Sequence, residues 1–362
     1  MNDKKALIFS DIHIHPHKKS QERLDDCLKA LEWVFETARA NKIKNIICLG
    51  DLFHDRRTID ILSYNKTFDI FEKHQHSGEP FNIYLLLGNH DLWYYERLDV
   101  SSVAPFKNIP NTTVINKPCT INISSFPVSF LPFTHNPIEE MKKIDNNSNY
   151  KVLMGHVAID GAMLNPHART ISEVSVENDN EMVLISSDKF KEWNYVFLGH
   201  YHAEQVIDGF IEYVGSPLQL DFGEVFQQKH IIIYDLETHD RKYIINDFSP
   251  KHLIISDEKE NKHSLKNNFV ILETSKDVGD PALIDIRNKV SESEVKSVVV
   301  RRKPKEIVED KKDIETLKLN LSRREDMISS YIDHLSSSAG FSFDKEKLKR
   351  FGLSICSKAK VD

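Results

Sequence analysis

Five short apolar runs recur in the first 200 residues, and each stops at a small residue followed by polar side chains able to bind a metal. Ala6-Leu7-Ile8-Phe9 leads to Ser10-Asp11, Ile46-Ile47-Cys48-Leu49 to Gly50-Asp51, and Ile83-Tyr84-Leu85-Leu86-Leu87 to Gly88-Asn89. Lys151-Val152-Leu153-Met154 leads to Gly155-His156, and Tyr195-Val196-Phe197-Leu198 to Gly199-His200. Runs this short with little alternation predict strands buried on both faces, as in an α/β sheet. Between the first two, Leu24, Leu28, Leu31, Phe35 and Ala38 fall at helical spacing; between the next two, Ile61, Tyr64, Phe68 and Phe71 do the same. The strand-helix-strand rhythm predicts a sheet flanked by helices, with ligands gathered at the carboxyl ends of the strands.

Beyond residue 203 the strands shorten, the clearest being Phe210-Ile211-Glu212-Tyr213-Val214 and His230-Ile231-Ile232-Ile233-Tyr234. A charged stretch around 251–267 predicts a boundary, after which 269–272, a helical 282–290 and 295–300 read as a β-α-β unit. From Ile307, Ile314, Leu317, Leu321, Ile328, Ile332 and Leu335 approach an a/d spacing, and Leu348, Phe351, Leu353 and Ile355 form a second short amphipathic piece. Two readings stay open there, a solvated helix packed on its own domain and a partner-binding helix.

The length of 362 residues exceeds the roughly 200–250 residues of a single core, so smaller modules are expected beside the main one. With 40% hydrophobic and 28% charged residues, the chain has an ordinary folded composition. Its opening apolar run is too short for a signal-peptide core or a membrane span, so a soluble, cytoplasmic protein is expected. Cys27, Cys48, Cys119 and Cys356 form no CxxC pair, which argues against a disulfide framework or a zinc-thiolate site. The formal charge of -7 weighs against binding nucleic acid through a surface that is basic throughout, and leaves room for a local basic groove.

The chemistry lies in Asp11-Ile12-His13, Gly50-Asp51, Gly88-Asn89-His90-Asp91, Gly155-His156 and Gly199-His200-Tyr201-His202. Any one of these occurs by chance; all five, each closing a buried strand, form a specific signal. Two divalent ions about 3.5–4 Å apart can clamp a phosphate and activate a water, which requires mixed oxygen and imidazole ligands and one bridging carboxylate. On an extended segment, residues two apart share a face, so Asp11 and His13, and likewise His200 and His202, are expected to aim together.

The whole set resembles the calcineurin-like metallophosphoesterase superfamily. The resemblance implies an α/β fold: a metallophosphoesterase β-sandwich flanked by helices over 1–250, a small α+β DNA-binding cap over 251–305, and a C-terminal helical arm over 306–362. It implies that Asp11, His13 and His202 hold one ion, that Asn89, His156 and His200 hold the other, and that Asp51 bridges them. Nitrogen and oxygen ligands without thiolate suit manganese, with magnesium, iron or zinc as alternatives. His90 is the expected acid, since an imidazole titrates near neutrality, and Asp91 is expected to fix its ring as the third member of a triad does.

Within the superfamily, Gly50-Asp51-Leu52-Phe53-His54-Asp55 and Tyr213-Val214-Gly215-Ser216-Pro217 followed by Asp221-Phe222-Gly223-Glu224 are similar to the SbcD-like (Mre-eleven-like) DNA repair nucleases. That likeness implies that His54 positions either the phosphodiester or the acid histidine. It also implies a manganese-dependent double-strand exonuclease and single-strand endonuclease acting in DNA repair, recombination or replication. An SbcC-type coiled-coil ATPase would bind the arm, and a homodimer would form within a heterotetramer. The histidines His15 and His17, and Arg56-Arg57-Thr58 after the GDLFHD stretch, depart from the family pattern; such divergence is compatible with a phage-encoded relative. His15 and His17 are expected to be loop residues, and the run Arg301-Arg302-Lys303-Pro304-Lys305 either touches DNA phosphate or forms a solvated strand end. The rival functions are a small-nucleotide phosphodiesterase or phosphatase and a catalytically silent scaffold.

Overall fold

The computed structural model describes residues 1–303 and 347, apart from 18–19, 95–96, 166–167, 170–182, 258–263 and 278–279. Met1–Arg302 form one compact unit. The predicted C-terminal helices lie outside the described residues.

The apolar runs become strands for the expected reason. In β1 (Asn2–Phe9), Leu7 and Phe9 enter one core while Ala6 and Ile8 enter another, so every side chain of the run is buried. Parallel to it lie β2 (Ile43–Cys48), β3 (Asn82–Leu86) and β4 (Thr112–Ile115), in that order across the sheet. Two antiparallel strands, His230–Asp235 and Arg241–Ile245, complete this six-stranded sheet on the far side of β1. A second six-stranded sheet has Val152–His156 and Tyr195–Gly199 parallel at its centre, flanked by Phe126–Leu131 and Ile211–Tyr213. Ile8, Ile47, Leu86, Phe130, Met154, Phe197 and Tyr234 fill the space between the sheets. The architecture is therefore a β-sandwich of mixed sheets with helices packed outside it.

Helix α1 (Gln21–Ala40) is capped by Ser20, whose side chain accepts from the amide of Arg23, and it buries Leu24, Leu28, Leu31, Phe35 and Ala38 as their spacing predicted. Helix α2 (Ile61–His76) is capped by Asp60 and buries Ile70 and Phe71, with Tyr64 and Phe68 half-buried against the same core. Ile61 departs from the predicted stripe: at the first turn it projects off the core and is 78% exposed.

The region after residue 251 contains one strand more than its sequence suggested. His252–Ser256 pairs in parallel with Phe269–Thr274, which pairs in parallel with Ser297–Arg302, and the helix Pro281–Glu292 makes the second crossover. This small sheet belongs to the same compact unit as the sandwich. It meets α1 through Lys296, whose Nζ lies 2.7 Å from Asp26 Oδ1, and through Arg23, whose guanidinium stands over the Phe269 ring. Among the described residues, no helix is long and apolar enough to cross a membrane.

Candidate metal centre

β1, β2, β3, Val152–His156 and Tyr195–Gly199 all run in one direction within their sheets, so the polar residues that follow them collect at one end of the sandwich. Beyond β1 and β2 the chain keeps pairing: the amides of Asp11, His13 and Ile14 donate to the carbonyls of Gly50, Asp51 and Leu52. This backbone ladder fixes Asp11 and His13 against Asp51.

Asp11 and His13 do not converge by sharing a strand face. β1 ends at Phe9, and Asp11, His13, Asp51 and His200 all have positive φ, at +52°, +48°, +53° and +102°. Left-handed turns at non-glycine residues are strained and mark functional positions; here they turn the side chains inward. His200 and His202, expected to aim together, separate. Nδ1 of His200 lies 2.9 Å from Asn89 Oδ1, whereas Nε2 of His202 lies 3.0 Å from His13 Nε2.

Among the described residues the donors gather in overlapping groups, one of them His13, His54 and His90. Asp11, His13 and His202 bring ligand atoms within 4.8 Å of one another, and so do Asp11, Asp51 and His156. His156 Nε2 is 3.0 Å from Asn89 Oδ1 and 3.4 Å from Asp51 Oδ2. His156 Nδ1 donates to the Leu49 carbonyl at 2.7 Å, which leaves Nε2 for the centre. Gly88 makes room for this: a Cβ there would lie 2.1 Å from Asp51 Oδ1.

Asp11, His13, Asp51 and His156 are almost fully buried. Burial disfavours the charged form of Asp51, yet the charge of His156 and its hydrogen bond to the carboxylate outweigh it and hold the carboxyl far below its ordinary value. Burial likewise opposes charge on His156, but the Asp51 carboxylate raises it to about 9. Burial pushes His13 well below its ordinary value and His200 to about 3, so both rings are neutral with lone pairs to offer. Burial, with the Asp51 charge adding to it, raises Asp11.

These residues fit a pair of divalent cations. Two Nε2 atoms 3.0 Å apart can share only one proton, and Asn89 Oδ1 is approached by two ring nitrogens at once. Buried carboxylates and imidazoles that converge in this way are stabilised by a cation among them. With nitrogen and oxygen donors and no thiolate, the set suits a transition-metal ion.

The residues expected to do proton chemistry are rearranged. His90 is anchored at the centre by its amide, which donates to Asp51 Oδ1 at 2.8 Å, and its Nδ1–H donates to the His54 carbonyl. The His54 ring lies nearly parallel to that of His90, with centroids 5.7 Å apart. His54 thus meets the His90 ring through its backbone oxygen. Asp91 does not fill the triad role expected of it. Its carboxylate is buried and turned the other way, accepting from the amides of Asp51 (2.8 Å), Gly88 (3.0 Å) and Leu52 (3.1 Å). Adjacent side chains on a tight turn diverge, so Asp91 clamps the two ligand loops together instead of orienting a ring. Burial, together with the Asp51 charge, raises this carboxyl to about 7.

Three contributors were not identified in the sequence. Arg56 donates through Nε to the Asn89 carbonyl at 3.0 Å; the only hint was its departure from the family pattern. Glu224 Oε1 meets His202 Nδ1 at 2.8 Å, and Lys229, for which no sequence signal existed, pairs with Glu224 Oε2 at 2.7 Å. His15 and His17 lie on the loop after the centre, His15 paired with Asp55 at 3.0 Å and His17 donating to the His13 carbonyl at 3.1 Å. Arg301 and Arg302 pair with Glu273 and Asp277, as at a solvated strand end. Cys27 and Cys48 are buried free thiols whose burial raises their pKa, Cys27 to about 11, which fits unreactive core residues.

Residues 4–204 match the family model of the calcineurin-like phosphoesterases. The chain is similar to the D component of the SbcCD nuclease of Staphylococcus epidermidis, 31% identical over 103 residues that make up 28% of this chain and 26% of that protein. It is also similar to the D component of the SbcCD nuclease of Staphylococcus saprophyticus, 23% identical over 261 residues, 64% of this chain and 66% of that protein. The chain thus spans less than two thirds of the length of either relative. The family match takes in all five loops of the candidate centre and more than half of the sequence, and it agrees with the sandwich that brings those loops together: this chain belongs to the calcineurin-like phosphoesterase family.

Proposed function

We propose that this chain is a manganese-dependent nuclease, an SbcD-like subunit that hydrolyses phosphodiester bonds of DNA. The observation that supports the reading is that Asp11, His13, Asn89, His156, His200 and His202 gather around the buried Asp51 carboxylate, in contact with it or with one another. Asp11, His13 and His202 would hold one ion, Asn89, His156 and His200 the other, and Asp51 both. When bound, the ion pair neutralises phosphate charge and supplies an activated water.

The chain's own residues account for the rest. The His54 carbonyl keeps a hydrogen on His90 Nδ1, so the proton delivered to the departing 3′ oxygen comes from Nε2. Asp91 holds the Asp51 and Gly88 segments at fixed separation, and Arg56 tethers the carbonyl of Asn89. DNA as substrate, an SbcC-type coiled-coil ATPase on residues 306–362, and a homodimer within a heterotetramer are supported by likeness to the SbcCD nucleases. The same likeness supports roles for 251–305 in DNA contact and a cytoplasmic location.

The test is cleavage of end-labelled duplex and single-stranded DNA with Mn2+, beside an aryl phosphodiester and a mononucleotide. Manganese-dependent release of nucleotides from DNA supports the reading. Hydrolysis of the small substrates with DNA left intact would instead identify a small-nucleotide phosphodiesterase, and inertness towards all of them with metal bound would identify a silent scaffold.

A further inference from the structure

Each ring nitrogen of His202 has its own neighbour. Nε2 faces His13 at 3.0 Å, and Nδ1 lies 2.8 Å from Glu224 Oε1. Glu224 closes the short turn Phe222–Glu224 and is buried. Its Oε2 accepts from the Leu220 amide at 3.2 Å and the Ser216 hydroxyl at 3.3 Å, and meets Lys229 Nζ at 2.7 Å. Lys229 is buried as well, and donates to the His202 carbonyl at 2.8 Å, Ser216 Oγ at 2.9 Å and Gln227 Oε1 at 2.8 Å. Gly215 passes directly beneath: with φ +74°, a Cβ there would lie 2.9 Å from the His202 carbonyl.

A buried ion pair is a poor stability device, because desolvating both charges cancels most of their attraction. The contacts of this one supply another reason for it. Lys229 holds the His202 backbone, Glu224 holds the His202 ring, and the two hold each other. We propose that Glu224 is the positioning residue of His202: its carboxylate accepts the Nδ1 hydrogen, so that Nε2 presents its lone pair beside His13 and Asp11, while Lys229 balances the buried charge and ties down the main chain. This rests on reading His202 as a metal ligand. A carboxylate behind a ligand imidazole typically contributes 10–100-fold in metal affinity.

The test is calorimetric titration of Mn2+ into the metal-free full-length chain. Wild type takes two ions; Glu224→Gln binds one of them roughly 10–100-fold more weakly and retains the other. Because that variant leaves Lys229 uncompensated, the double variant Glu224→Gln/Lys229→Met removes both charges and should fold and show the same selective weakening. A folded single or double variant that binds both ions at wild-type affinity overturns the inference. The Zn2+-loaded wild type provides a readout that no purely structural role would move: nitrogen NMR should show His202 protonated at Nδ1 and metal-bound through Nε2, and the opposite tautomer overturns the inference too. His202→Ala with both ions still tightly bound would overturn the ligand assignment itself, an outcome separate from a failure at Glu224.

Discussion

Replacing Asp91 by alanine removes the side chain that bonds the Asp51, Leu52 and Gly88 amides together, at 2.8, 3.1 and 3.0 Å. All three donors sit in the buried base of the metal centre, and a buried donor left without an acceptor costs about 1–3 kcal/mol. Three of them give about 3–9 kcal/mol, and water entering the space vacated by the carboxylate brings the expected loss towards the lower end. A loss of about 3 kcal/mol is a large part of the 5–15 kcal/mol that stabilises a typical domain, and corresponds to a fall in Tm of about 6–12 °C for a core of this size. The assay is thermal unfolding of the metal-free variant followed by near-ultraviolet circular dichroism, with Mn2+ stoichiometry measured in parallel. Asp91→Ala should melt early and bind Mn2+ weakly, because the loops bearing Asp51 and Asn89 lose their common anchor. Asp91→Asn, which keeps one carbonyl oxygen for the Asp51 and Gly88 amides, should lose less. An alanine variant melting within about 2 °C of wild type, with metal binding intact and only turnover reduced, would refute the clamp and restore a role for Asp91 in orienting the His90 ring.

Asp51→Asn should abolish binding of both Mn2+ ions in calorimetry, since the carboxylate around which the donors gather is lost. His90→Ala should keep two bound ions while DNA cleavage falls by about 10²–10⁴-fold, the usual worth of a positioned proton donor; full cleavage with full occupancy would remove His90 from the reaction. Stability should also depend on pH through Glu212, whose carboxyl is raised to about 7 chiefly by burial, with the Glu204 charge adding to it and the Tyr243 hydrogen bond opposing. A carboxyl raised in the folded state contributes stability below its unfolded value near 4.5 and loses it as pH climbs through about 7. Glu212→Gln should therefore gain stability relative to wild type between pH 5 and 8 in urea unfolding, and an unchanged difference across that range would contradict the assignment.

The sequence alone determined that five buried strands end in metal-capable residues and that α1 crosses between the first two. Continuous apolar runs can be buried only on both faces of a covered sheet, and 3.6-residue spacing can bury only one face of a helix. The residue types after those strands likewise suggested a centre of oxygen and imidazole donors, and the family resemblance added the amide of Asn89. The tertiary structure decided which neighbour each side chain meets. Asp91 follows His90 in sequence yet turns away from its ring, and Asp11 and His13 converge through left-handed turns that no alternation pattern encodes. Glu224 and Lys229 reach His202 from 22 and 27 residues further along the chain. Such contacts depend on where two loops come to lie after the sandwich has closed. Periodicity records only whether a residue is covered, so it could not say which loops would meet around the candidate ligands.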